Sequence, residues 1–251
     1  MDDHATRTLM TTVGIISNNL DIRPDSWRDQ LPSVRYTTST FEILDTVPSP
    51  ARKQWQLPLI NVFQRVAFGD ADSGPAQDVA DWCLRQGLRL LHLYPEDIDI
   101  LSLIGRNWLS RAQKSLANIY RADRGSSSSS AASTSASQES EAREARALAE
   151  AEQALNTADY VEARGILSPA IDYLQRAVNS AYARGTVSGT VLVNAAEAYM
   201  SMGNVTSTRV NEPYFRQAML YLRAASGLQG YSLPAHLQQY LDDYGHLYLN
   251  T

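Results

Sequence analysis

The chain has 251 residues and a single cysteine, Cys83, so it cannot close an internal disulfide. A lone thiol suits a reducing compartment, and an intracellular protein, cytoplasmic or nuclear, is expected. No apolar run approaches the ~20 residues a membrane-spanning helix needs, which sets a membrane role aside. The opening "MDDHATRTLM" carries acidic residues where a signal or transit peptide would be basic. Positive charge is also short. With 22 Lys+Arg against 27 Asp+Glu the formal charge is -5, which disfavours nucleic acid as a partner except through a complex.

Catalytic signatures are missing as well. There is no GxSxG elbow, no phosphate-cradling glycine loop and no dinucleotide fingerprint. His4, His92, His236 and His246 are scattered, and the last two stand ten residues apart, too far to share one helical face as the HExxH grouping does. Cys83 lacks a Cys-x-x-Cys partner and sits on the apolar face of "DVADWCLRQGLRLL", so a buried thiol is expected. In "PEDIDI" the carboxylates of Glu96, Asp97 and Asp99 lack the glycine turn and terminal Glu of a calcium loop; capping of a helix N-terminus accounts for them. No metal, cofactor or enzymatic activity is expected.

What is present is helical patterning. Residues 1–53 mix short apolar stretches with Asn, Asp, Pro and Thr, and read as an irregular N-terminal arm with one or two helical turns around Trp27. From residue 54 to 248 apolar spacings of 3 and 4 dominate, with breaks at 69–75, 125–138, 184–189 and 203–213. The second break, "GSSSSSAASTSASQ", cannot bury enough apolar surface to offset its ordering entropy and reads as a flexible insert whose removal leaves folding intact.

Within that region a register recurs. Leu101, Ile104, Gly105 and Trp108 stand at offsets 0, 3, 4 and 7, followed by Ala112, which marks a turn into a second helix from about Gln113, and Ala117. Gly105 would let a partner helix approach closely. The same offsets hold Leu192, Ala195, Ala196 and Tyr199, then Gly203, and a second helix carries Ala218, Leu222 and Ala225. A third copy runs through Ala154, Thr157, Ala158, Val161 and Gly165 to Ala170, Leu174 and Ala177; a fourth uses Leu59, Val62, Phe63 and Val66, then Cys83 and Leu90. Leu237, Tyr240, Leu241 and Tyr244 start the pattern once more, as a terminal capping helix would.

These residues resemble the small/large signature of the tetratricopeptide repeat family. The resemblance implies an all-α fold, a right-handed superhelical array of antiparallel helix pairs over residues 54–248. Its inner groove would be lined by the first helix of each pair and would bind a peptide or helical segment of a protein partner. A scaffold or complex subunit is the role expected; a chaperone-type or adaptor-type peptide receptor is the alternative, and an enzyme completed by a partner a remote one. The receptor reading is weakened because Asn194 alone matches a carboxylate-holding position. Asn194 and Glu197 are left over once their neighbours are assigned to packing, and with Gln238 and Tyr240 on the cap they form the candidate partner-binding face. Arg106, Arg111, Lys114, Arg121 and Arg124 read as a solvated basic face.

Overall fold

The computed structural model describes residues 3–44, 52–127, 146, 149–150 and 152–249, and every regular element among them is helical. The helices are α1 (Asp3–Ile22), α2 (Trp27–Leu44), α3 (Arg52–Ala67), α4 (Gln77–Leu93) and α5 (Ile98–Ser127). They are followed by α6 (Ala158–Arg184), α7 (Gly189–Asn204), α8 (Glu212–Ser226) and α9 (Ala235–Leu249). One 3-10 turn, Pro24–Ser26, joins α1 to α2.

The N-terminal region is not irregular. Leu9, Val13, Ile16 and Leu20 recur along α1 at spacings of 4, 3 and 4, and Leu31, Val34 and Phe41 share a face of α2 at spacings of 3 and 7. Val13, Ile16, Leu20, Val34 and Phe41 are all buried with α3 and α4, and Phe41 meets the Trp82 ring edge-on at 5.5 Å. Thr, Asn and β-branched residues lower the intrinsic helix preference here, and burial against neighbouring helices overrides it. Arg35–Asp78 and Arg85–Glu42 ion pairs fasten α2 along α4.

Two of the four expected pairs are real as pairs: the copy starting at Leu59 spans α3 and α4, and the copy starting at Leu192 spans α7 and α8. The other two are each a single helix. Helix α5 runs 30 residues straight through Ala112 and Gln113, and Ala158, Val161, Gly165, Ala170, Leu174 and Ala177 all lie on α6, with Thr157 as its N-cap and Ala154 ahead of it. Nothing between Ser110 and Ser115 breaks a helix, since Arg, Ala, Gln and Lys are all strong helix formers. In α6 the interior Pro169 forfeits one backbone bond but sits among Leu167, Ala170, Ile171 and Leu174, all buried, and that packing carries the helix through. Val161 is 54% exposed, so it does not serve the packing role the register assigned to it. Gly125–Ser127 continue α5; residues 128–138 of the serine insert lie outside the described residues.

Helices α5 and α6 instead pair with each other. Contacts advance along one as they retreat along the other: Ser180 Oγ donates to Glu96 at 2.7 Å, Gly105 faces Leu174, Ser115 Oγ donates to Glu162 at 2.8 Å and Asn118 donates to Asp159 at 3.0 Å. The pair is therefore antiparallel. So are α3 and α4, where Gln56 bonds Gln86 at 3.1 Å and the Cys83 thiol points at the Ile60 carbonyl. Cys83 is buried as expected, and desolvation pushes its thiol far above the ordinary range. Asp97 caps α5 by accepting from the Ile100 amide at 3.2 Å, and Ser188 caps α7 by accepting from Val191. Helix α6 ends on Gly185 in the left-handed conformation at φ 64.

Helix α5 is shared by two cores. Its Ile100, Leu103 and Ile104 pack with α1–α4, while Leu101, Leu109, Ala112 and Ile119 pack with α6–α9. In the second core Tyr199 meets Tyr221 at 5.8 Å and Tyr214 at 6.3 Å, and burial pushes the Tyr199 phenol up to about 12. A folded-state value above the unfolded value of about 10 leaves its full stabilisation in place below pH 10; this is lost as pH rises through 12. Chemical unfolding at pH 9 and pH 11.5 should therefore show a larger loss of stability for the native chain than for Tyr199→Phe.

Candidate functional site

Helices α3 and α5 run parallel side by side, fixed by Lys53 to Asp97, by Arg106 Nη2 donating to Asn61 Oδ1 at 2.6 Å and by Asn107 donating to Gln64 at 3.2 Å. Helix α7 also packs against α5. Between the three lies a cavity of about 420 Å³. Each wall is one stripe of a helix. Asn61, Gln64 and Arg65 at the end of α3 and Phe68, one residue past it, stand at offsets 0, 3, 4 and 7; Arg106, Leu109, Ser110 and Gln113 repeat those offsets on α5; Asn194 and Glu197 stand at 0 and 3 on α7. Such spacing puts each set on one face.

A second hollow of about 370 Å³ shares Gln113 and is lined further along α5 by Leu116, Ala117, Tyr120 and Arg121, with Asp72 opposite. From Arg106 to Arg121 the lining thus follows a single stripe of α5, about 22 Å long at 1.5 Å per residue. Its first half is polar and its second half apolar with a charged rim.

Two charges in the first cavity stand out by what they lack. Arg106 is half-buried; its one hydrogen bond goes to Asn61, its Nε is buried without a partner, and no carboxylate lies within ion-pair distance among the described residues. Burial pulls its guanidinium below the ordinary value, partly offset by the charge of Asp99. Across the cavity Glu197 is likewise half-buried with no ion pair among the described residues, and desolvation raises its carboxyl above the usual range against the opposing pull of His236. The neighbouring Arg111 is different: it is held by Asp81 at 2.7 Å and Asn107 at 2.8 Å, with its guanidinium 5.6 Å from the Trp108 ring centre. Arg65 is paired with Asp21 at 2.6 Å.

The expected basic face is thereby corrected. Arg106 and Arg111 are packed between helices, Lys114 is exposed, Arg121 lines the second hollow, and the Arg124 side chain lies outside those described. Arg106 reads as solvated in the sequence because its charge does not tell what covers it, whereas Asn61 and Gln64, polar within the apolar "LPLINVFQRV", are the local signal for the α3 wall. Of the four candidate residues, the fold brings Asn194 and Glu197 together in the cavity wall. Gln238 and Tyr240 are on α9, outside that lining: Gln238 donates to Asp242 at 2.8 Å and the Tyr240 ring lies 4.8 Å from Tyr244.

No family model, curated protein or solved structure matches the chain. The groove itself therefore carries the functional reading. Among the described residues no helix is long and apolar enough to cross a membrane, and no three His, Cys, Asp or Glu side chains gather where they could hold a metal ion.

Proposed function

We propose that the chain is a non-catalytic protein-protein interaction scaffold, or a subunit of an intracellular multiprotein complex, that takes an extended segment of a partner in the groove along α5. The supporting observation is the repeated 0, 3, 4, 7 stripe that α3 and α5, joined by α7, turn to one cavity. Asn61, Gln113 and Asn194 carry amides, a group that can both donate and accept, which suits a peptide backbone with its alternating N–H and C=O groups. A groove of about 22 Å accommodates six or seven extended residues at about 3.3 Å each. The helices that line it are the first members of the pairs α3–α4, α5–α6 and α7–α8, as in the tetratricopeptide resemblance, and a right-handed superhelical array is the form this reading gives the whole. Gln238 and Tyr240 would add contacts where the segment runs past the mouth of the groove.

Affinity purification of the intact chain with identification of its partners by mass is the test. Asn194→Ala/Glu197→Ala protein is expected to retain about a tenth or less of the partner recovered by the native chain, because binding energy concentrates in few central residues. Gln238→Ala/Tyr240→Ala should lose less. Full retention by the groove variant, with its melting temperature unchanged, would move the site elsewhere.

A further inference from the structure

We propose that the cavity between Arg106 and Glu197 selects a dipolar stretch of the partner segment, an acidic side chain received by Arg106 and a basic one received by Glu197. This rests on the groove reading and adds its chemistry.

A partly desolvated charge without a counter-charge is unfavourable, and proteins meet the need with pairs or dense hydrogen bonding. Other cations beside the groove show it, while Lys114 and Arg121, exposed to water, need no counter-charge. Lys53 has Asp97, Arg65 has Asp21, and Arg111 has Asp81. Arg164, which has no ion pair among the described residues, donates to the carbonyls of Val205 and Leu155 at 2.8 and 2.7 Å. Arg106 has one amide oxygen and a buried, orphaned Nε. Of its five N–H donors this guanidinium uses one in a hydrogen bond, so the chemistry left open on this wall is that of an anion.

The opposite wall leaves the complementary need. Glu197 carries the negative charge of the cavity, and the groups of α9 nearest to it include His236, which does not reach ion-pair distance. Arg106 and Glu197 share the cavity without meeting. A single anion would satisfy one wall and be repelled by the other; a segment with one charge of each sign satisfies both. The remaining lining, Asn61, Gln113 and Asn194, can hold the main chain between them.

A random hexapeptide display library panned on the intact chain tests this. The enriched peptides should carry one Asp or Glu and one Lys or Arg at a constant separation. Synthetic peptides of the winning sequence should bind roughly thirtyfold or more weakly to Arg106→Gln and to Glu197→Gln, since truncating one partner of a desolvated charge pair has at least that effect. Arg106→Lys, which keeps the charge, should recover part of the binding, and the exchanged variant Arg106→Glu/Glu197→Arg should select the reversed order of charges. Melting curves of each variant separate lost binding from lost fold, and Glu197→Gln is an isosteric arm independent of Arg106. Gln113→Trp, which plugs the groove where the two hollows meet, should abolish binding by every peptide. Enriched peptides that are blocked by Gln113→Trp but carry no charge pattern, or bind both glutamine variants as well as the native chain, would overturn the dipolar inference and leave the groove standing. Failure to enrich any peptide, or binding that survives Gln113→Trp, would overturn the groove reading itself.

Discussion

Gly105→Leu is expected to destabilise the chain by about 3 kcal/mol, the upper end of what overpacking costs, because the obstacle includes backbone. A Cβ at this position would lie 2.5 Å from Leu174 Cγ and 3.2 Å from the Leu174 backbone nitrogen. Leu174 is itself fully buried, in the middle of α6, so its side chain has no free space to turn into. Two long helices that pair along most of their length would have to separate locally, and the second core would loosen with them. Thermal unfolding should show a melting temperature lower by roughly 6–12 °C, given about 2–4 °C per kcal/mol for a chain of this size. Gly105→Ala/Leu174→Ala should be less destabilised than the sum of its single changes, since the smaller residue on α6 makes the room that the new methyl needs. A melting temperature unchanged by Gly105→Leu would mean that α5 and α6 do not touch here.

The second large effect is expected at Asn107. Its amide donates to Gln64 Oε1 at 3.2 Å and to the Ala80 carbonyl at 3.3 Å, and its oxygen accepts from Arg111 Nε at 2.8 Å. One buried side chain thus ties α5 to α3 and α4 and holds the arginine that reaches Asp81. Asn107→Ala leaves those partners unsatisfied in a dry interface and should cost about 2–4 kcal/mol, against about 1 for an ordinary hydrogen bond. Asn107→Asp keeps the acceptor for Arg111 but sets a carboxylate against two oxygens, so it should not restore stability at neutral pH. Denaturant unfolding of the two variants decides the point; an Asp variant as stable as the native chain would show that the amide donations carry no weight.

Both effects lie along α5, and so does the groove. The helix supplies apolar side chains to two cores, a buried amide to one of them, and its remaining stripe to the cavity. That division explains why Asn194 and Glu197 could be picked from the sequence while Arg106 could not. On α7 the packing residues Leu192, Ala195, Ala196 and Tyr199 leave the polar pair as a plain remainder. On α5 nearly every face is used, and a charged residue between Gly105 and Asn107 gives no local sign of whether water or another helix lies over it.

Local pattern by itself determined the helical class from residue 54 onward, the burial of Cys83, the helix cap at Asp97 and the close approach at Gly105. These follow from spacing, side-chain size and the bonding needs of a helix terminus, all of which a residue carries wherever its neighbours come from. Tertiary structure decided the rest. Residues 3–44 became helical because Val13, Ile16, Val34 and Phe41 found α3 and α4 to pack on. Helices α5 and α6 ran on past the expected turns because each offers the other an unbroken face, and continued burial outweighs even the break that Pro169 would otherwise impose. Arg106 lost its water because Asn61 approaches from a helix 45 residues earlier. A helix's period is a property of its own sequence, whereas where it stops and which of its charges are desolvated depend on free energy supplied by segments distant in the chain.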